Sequence, residues 1–191
     1  MKYTFILIIV FVIVCAALFA KANTAADFDI SSYSKSIYDY SAKSIDGIDI
    51  DFKKFKGKKI MIVNVASRCG YTYQYAELQQ LYKDYEDYLV ILGFPSNDFL
   101  WQEPGSNKEI KTFCSTTYGV TFPMFEKVSV KGQERHPIYS WLSSKNLNGY
   151  KDCVPSWNFN KYIIDEDGQL VADFGSKVSP LSNDIKKVLN K

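Results

Sequence analysis

Two continuous apolar runs punctuate the chain, Ile60-Met61-Ile62-Val63 and Leu89-Val90-Ile91-Leu92-Gly93-Phe94, each suited to a strand buried on both faces. Between them Leu78, Leu81, Tyr82 and Tyr85 recur at helical spacing, which predicts a helix over Tyr75 to Tyr85. Strand, helix and strand in this order predict a parallel pair with a right-handed crossover, so the loops after Val65 and Phe94 open at one sheet edge. Upstream, Ile37 to Ser44 and Ile48 to Phe52 flank Asp46-Gly47, a hairpin signal. Downstream, the pattern predicts a helix over Ser106 to Thr117 capped by Ser106 or Asn107, and a strand over Glu126 to Val130. A turn at Gly132 and a helix over His136 to Leu142 with Pro137 in its first turn follow. The last third reads as strands Tyr162 to Ile164 and Leu170 to Phe174 about the turn Asp165-Glu166-Asp167-Gly168, then a helix from Pro180 to Leu189.

A parallel βαβ half followed by a ββα half is an α/β, thioredoxin-like arrangement, here with an N-terminal β-hairpin and an extra central helix. With 191 residues, 47% of them hydrophobic and 23% charged, one globular domain is expected. Basic residues number 23 and acidic ones 21, and no stretch concentrates Lys and Arg, so nucleic acid is excluded as a partner class.

The N-terminus departs from this composition. Lys2 precedes the apolar run Phe5 to Ala20 and then Ala20-Lys21-Ala22, a small-x-small pattern that reads as a signal peptide over residues 1–22, cleaved after Ala22. The expected location is therefore exported, periplasmic or secreted. An uncleaved membrane anchor is the competing interpretation, because an apolar run of roughly 17 residues is near the minimum for spanning a bilayer. Lipidation at Cys15 is disfavoured by Val14. Residues 23–35 are polar and aperiodic, a leader ahead of a domain over 36–191.

Export permits disulfides, and losing Cys15 leaves Cys69, Cys114 and Cys153. An odd count fits either a static pair with a free thiol or a redox-active pair with a bystander. Cys69 is placed for reactivity: it follows a buried strand in a loop that opens toward a helix, where N-terminal amides and Arg68 favour an anion. The irregular stretch Pro95 to Gly105 lies at the same sheet edge and completes a candidate crevice. Other chemistries fit poorly. The single histidine, His136, begins a helix with no orienting partner, against a Cys-His hydrolase. No Cys-x-x-Cys or His pair offers a metal site, and Thr72 stands where a thioredoxin-type dithiol needs its second cysteine.

Three ordered motifs sharpen the picture: Asn64-Val65-Ala66-Ser67-Arg68-Cys69-Gly70-Tyr71-Thr72; Leu92-Gly93-Phe94-Pro95-Ser96-Asn97 through Gln102-Glu103-Pro104-Gly105-Ser106-Asn107; and Trp157-Asn158-Phe159. With Phe122-Pro123-Met124-Phe125 they resemble the glutathione peroxidase family over residues 36 to 190, cysteine standing where some animal members carry selenocysteine. The resemblance implies a thiol peroxidase without cofactor or metal, acting on hydrogen peroxide and organic or lipid hydroperoxides. It implies a tetrad of Cys69, Gln102, Trp157 and Asn158, in which amide and indole N–H groups stabilise charge at the sulfur and the departing oxygen. It also implies Cys114 as resolving cysteine, attacking a Cys69 sulfenic acid to form a disulfide. Bridging needs Cα atoms within about 7 Å, so a helical Cys114 is expected to require local unwinding. Cys153 matches no family role and is read as a bystander or fallback resolving thiol. A thioredoxin-like protein or glutathione is the implied reductant, and the short segment Lys145 to Ser156 favours a monomer. Asp98 and Leu100-Trp101 depart from the family pattern at the expected substrate mouth. The alternative is a secreted redox-sensing or interaction module on the same fold.

Overall fold

The Asp46-Gly47 turn closes the expected hairpin. In a computed structural model that describes residues 36–190, β1 (Ser41–Lys43) pairs antiparallel with β2 (Asp49–Asp51). Gly47 has φ of 79°, left-handed backbone that glycine adopts without a Cβ clash. The hairpin arms are shorter than the sequence suggests, because Ile37–Asp39 and Phe52–Phe55 coil into single 3-10 turns and bury Ile37, Phe52 and Phe55. The predicted signal peptide and leader lie outside the described residues.

The main sheet has the order β4-β3-β5-β6. β3 (Lys59–Val65) and β4 (Leu89–Pro95) are buried along their whole length and run parallel, Val65 opposite Pro95. Helix α1 (Gln74–Asp84) connects them and buries Tyr75, Leu78 and Leu81. The loops after Val65 and Pro95 therefore leave one edge, where the Ser96 amide donates to the Val65 carbonyl at 3.0 Å. α2 (Asn107–Tyr118) starts at a capping box, Ser106 and Glu109 each bonding the other's backbone, and stops at Gly119 with φ of 61°. α3 (Pro137–Ser143) is capped by His136, whose Nδ1 accepts from the Ile138 amide at 3.3 Å. A short α4 (Lys145–Asn148), β5 (Lys161–Ile164), β6 (Leu170–Phe174) and α5 (Asn183–Leu189) complete the order. β5 pairs antiparallel with both β3 and β6.

Three expectations are corrected. Glu126 to Val130 is extended but is not a strand: its amides go to Lys43 and Pro95 carbonyls, to the Asn107 side chain and to Asp98. Partners so dispersed cannot form a ladder. Lys145–Asn148 adds a helical turn that no periodicity announces. The closing helix begins at Asn183 rather than Pro180, because Ser182 supplies the side-chain cap.

The strand alternation divides the core in two. Ile60, Ile62 and Leu92 point to one face, with Trp141, Tyr162 and Cys153. Met61, Val63, Val65 and Ile91 point to the other, with Cys69, Tyr75 and Cys114.

Candidate active site

Cys69 sits on a series of tight turns rather than on a helix start, since α1 begins only at Gln74. Thr72 holds this loop: its hydroxyl donates to the Ala66 carbonyl at 2.9 Å and accepts from the Cys69 amide at 3.0 Å. The Tyr71 amide donates to the Cys69 sulfur at 3.4 Å, so one backbone dipole is already aimed at the atom that would carry charge. The residue is nearly buried, at 9% exposure.

The Pro95 loop is tied to the Cys69 loop at successive points. The Arg68 amide donates to the Gln102 carbonyl at 3.0 Å, and Ser67 Oγ donates to Glu103 Oε1 at 2.5 Å. Within the loop, Asn97 Oδ1 accepts from the Glu103 amide at 2.9 Å. Glu103 is fully buried, and burial raises its pKa while the bonds from Ser67 oppose that shift. Leu100 and Trp101 both take φ of 52°, and they are 67% and 77% exposed.

A third strip arrives from before β5. Asn158, fully buried, donates from Nδ2 to Gln102 Oε1 at 3.0 Å. Trp157 is held through its backbone, its carbonyl accepting from Asn64 Nδ2 at 2.9 Å and its amide donating to Asn160 Oδ1 at 3.3 Å. Its indole packs on Phe99 with ring centroids 5.5 Å apart, and the Lys131 ammonium covers Phe99 at 4.6 Å. Clefts of about 430 and 390 Å³ meet at Trp157, one walled by Tyr71 and Lys177, the other by Phe99 and Trp101.

Of the four predicted tetrad residues, Gln102 and Asn158 are hydrogen-bonded to each other, and the Gln102 carbonyl is tied to Arg68, the residue before Cys69. Trp157 joins them through the backbone it shares with Asn158. Cys114 is buried in α2 and shares a core face with Cys69, both as free thiols. Burial pushes its pKa up to about 11, with the Tyr75 hydroxyl beside it pulling the other way. Cys153 is buried on the opposite core face, where burial and Asp173 push its thiol up to about 12. Among the described residues, no group of three or more His, Cys, Asp or Glu side chains could hold a metal ion.

Sequence reasoning missed Asn64, Asn160 and Ser176, which fix the Trp157-Asn158 corner. Asn64 was visible as the one polar residue between Ile60 and Val65, and its side chain bonds Trp157 and Asn160. Nothing in the spacing marks Ser176, whose hydroxyl donates to the Asn158 carbonyl at 2.6 Å.

The family model described as glutathione peroxidase matches residues 37–143. A glutathione peroxidase of Lactococcus lactis subsp. cremoris is 44% identical over 155 residues, 80% of this chain and 98% of that protein. The hydroperoxy fatty acid reductase gpx1 of Synechocystis sp. is 43% identical over 166 residues, 82% of this chain and 97% of that protein. A glutathione peroxidase-like peroxiredoxin 2 of Saccharomyces cerevisiae is 45% identical over 161 residues, covering 82% and 98%. Among solved structures, T. cruzi GPX1 superposes with a TM-score of 0.62 at 31% identity, over 82% of this chain and 95% of that one. A thioredoxin family protein from Chlorobium tepidum, at 17% identity and a TM-score of 0.57, shares the fold.

Proposed function

The chain belongs to the glutathione peroxidase family and is a thiol peroxidase, and from that premise we propose that Cys69 is its peroxidatic residue and Cys114 its resolving one. In the first step the Cys69 thiolate attacks one oxygen of a hydroperoxide. The O–O bond breaks, that oxygen stays on sulfur as sulfenic acid, and the other leaves as an alcohol or water after gaining a proton. Gln102, Asn158 and Trp157 stabilise the charge that develops as the oxygen departs. In the second step the Cys114 sulfur attacks Cys69, water leaves and a disulfide forms. An external dithiol then reduces that disulfide and is itself oxidised.

The observation that carries this reading is the Asn158 to Gln102 hydrogen bond, joined through the Gln102 carbonyl to the Cys69 loop. Cys114 is preferred to Cys153 because it shares the Cys69 core face. Its burial in a helix makes unwinding of α2 part of the second step. The relatives named as a peroxiredoxin and a hydroperoxy fatty acid reductase support a protein dithiol donor and bulky hydroperoxide substrates. A thioredoxin-like protein is the proposed donor and the monomer the proposed state, the latter supported by the shortness of Lys145 to Ser156. Export after cleavage at Ala22 belongs to the same proposal, supported by the Phe5 to Ala20 run and checked by sequencing the mature N-terminus.

Mass mapping of peroxide-treated protein tests the cysteine roles. Cys69→Ser is expected to abolish peroxide consumption, Cys114→Ser to arrest at sulfenic acid, and Cys153→Ser to leave turnover intact. A Cys69 to Cys153 link, or no link, would refute the assignment of Cys114.

A further inference from the structure

Lys161, at the start of β5, is fully buried, yet each partner of its ammonium is uncharged. Nζ donates to Gln74 Oε1 at 2.5 Å, to the Val178 carbonyl at 2.6 Å and to the Ser176 carbonyl at 3.4 Å. Glu77 is the carboxylate that acts on it electrostatically, and Glu77 Oε2 already accepts from Ser179 Oγ at 2.8 Å. An ammonium so placed loses its hydration without a counter-charge in contact, and a well-packed apolar residue commonly does as well or better for stability. Its presence there calls for a reason other than stability.

The hydrogen bonds supply one. Gln74 Nε2 donates to the Ser176 carbonyl at 2.7 Å, so Lys161 and Gln74 together clamp the strap from Ser176 to Val178. Ser176 then donates from Oγ to the Asn158 carbonyl at 2.6 Å and to Asn160 Oδ1 at 3.4 Å. The same strap walls the cleft beside Trp157. The corner it supports is a costly one, since Phe159, directly after Asn158, holds φ of 64°, a conformation that persists only where surroundings enforce it.

We infer that Lys161 is a positioning residue for the peroxide step: its ammonium pins the Ser176–Val178 strap, and through Ser176 the strap sets the Trp157-Asn158 corner against Gln102. The inference rests on the peroxidase reading of that corner. Lys161 touches neither substrate nor sulfur, so its effect is transmitted wholly through the corner. Burial lowers its pKa to about 7, which accords with an ammonium held only by neutral acceptors.

Stopped-flow measurement of Cys69 oxidation by hydrogen peroxide at pH 6, on the full chain, tests this. Lys161→Met is expected to lower the second-order rate constant about 10- to 100-fold, the cost of small misplacements in a site, while the melting temperature holds or rises. In an Asn158→Ala background the same substitution should cost severalfold less than in the parent, because both act through one corner and only Trp157 is left there to misplace. Full additivity in that double variant, or a rate for Lys161→Met within about twofold of the parent, overturns the inference. Should Lys161→Met fail to fold, Ser176→Ala decides, since it removes the link to Asn158 and leaves the clamp. Its rate is expected to fall, and an unchanged rate is likewise decisive against the inference. The parent protein separates the two levels: if it does not react with peroxide, the peroxidase reading fails first.

Discussion

Asn158 Nδ2 donates to Gln102 Oε1 across 3.0 Å, joining two residues 56 positions apart. Because Gln102 accepts through its oxygen, its own NH₂ group remains to donate elsewhere, and the orientation of the amide is decided by its neighbour rather than by substrate. Two loops from different parts of the chain are therefore locked together through their side-chain amides, an arrangement that would preorganise donors for the proposed peroxide step.

The first prediction follows from that polarity. Asn158→Ala removes the donor and is expected to slow Cys69 oxidation about 100-fold, the typical effect of losing one preorganised donor. Asn158→Asp should be worse, since a carboxylate facing Gln102 Oε1 sets two acceptors against each other. Rapid-mixing rates for the pair check the order, and an aspartate variant faster than the alanine one would show that the hydrogen bond is not what matters.

The second prediction concerns Cys114. Ser106 accepts from the Glu109 amide and Glu109 accepts from the Ser106 amide, so the first turn of α2 is reciprocally capped. Ser106→Ala should cost about 1 kcal/mol of helix stability. If α2 must unwind for Cys114 to reach Cys69, that loss speeds disulfide formation, by up to about fivefold, while lowering the melting temperature. Timed quenching of oxidised protein followed by mass spectrometry gives the rate. A slower disulfide step in this variant would mean that resolution proceeds from the intact helix.

Much of this arrangement was legible in the chain. The runs at Ile60 and Leu89 fixed both strand identity and the shared edge, because burial on both faces leaves a strand no polar position to spare. The cap at Ser106 was legible for a similar reason, a local hydrogen bond satisfied by a local residue, whereas His136 read only as the first residue of its helix and not as its cap. Glu126 to Val130 misled because alternation signals extension, not pairing, and the edge beside it was contested by Asp98 and Asn107. Asp98 itself read only as a departure at the mouth, whereas its Oδ2 accepts from Ser129 Oγ and from the Val130 and Lys131 amides. Of the supports of the Trp157-Asn158 corner, Asn64 alone left a mark in the pattern, whereas Lys161 and Ser176 were not legible, since they meet the corner only once the sheet has formed.

A third prediction addresses the exposed pair Leu100 and Trp101. Left-handed backbone costs an L-residue roughly 1 kcal/mol, which glycine avoids. With both side chains mostly in solvent, little packing is lost on their removal. Leu100→Gly and Trp101→Gly are each expected to raise the melting temperature by a few degrees, at about 2–4 °C per kcal/mol for a domain of this size. Calorimetry checks it, and a fall for either variant would show that its side chain packs in solution.

The last prediction is the pH dependence of stability, whose direction changes with the group that titrates. Lys161 has its folded pKa lowered from 10.5 to about 7, so between those values the unfolded chain binds the extra proton and stability rises with pH. That contribution is complete above the unfolded value and is lost as pH falls through about 7. The slope from this one group is at most about 1.4 kcal/mol per pH unit. Cys114 and Cys153 act in the opposite sense: burial raises them from 9.0 to about 11 and about 12, so above pH 9 the unfolded chain releases protons that the folded protein keeps. Their stabilisation is present below the unfolded pKa and is lost as pH rises through the folded values. Two such thiols outweigh one lysine, and the melting temperature is expected to climb from pH 7 to a maximum near 9 and then decline. Lys161→Met should flatten the climb and steepen the decline, because the thiols are then unopposed between pH 9 and 10.5, whereas Cys153→Ser should soften the decline and leave the climb. Melting curves in matched ionic strength across that range distinguish them, and a parent protein that loses stability steadily from pH 7 upward would contradict the buried ammonium.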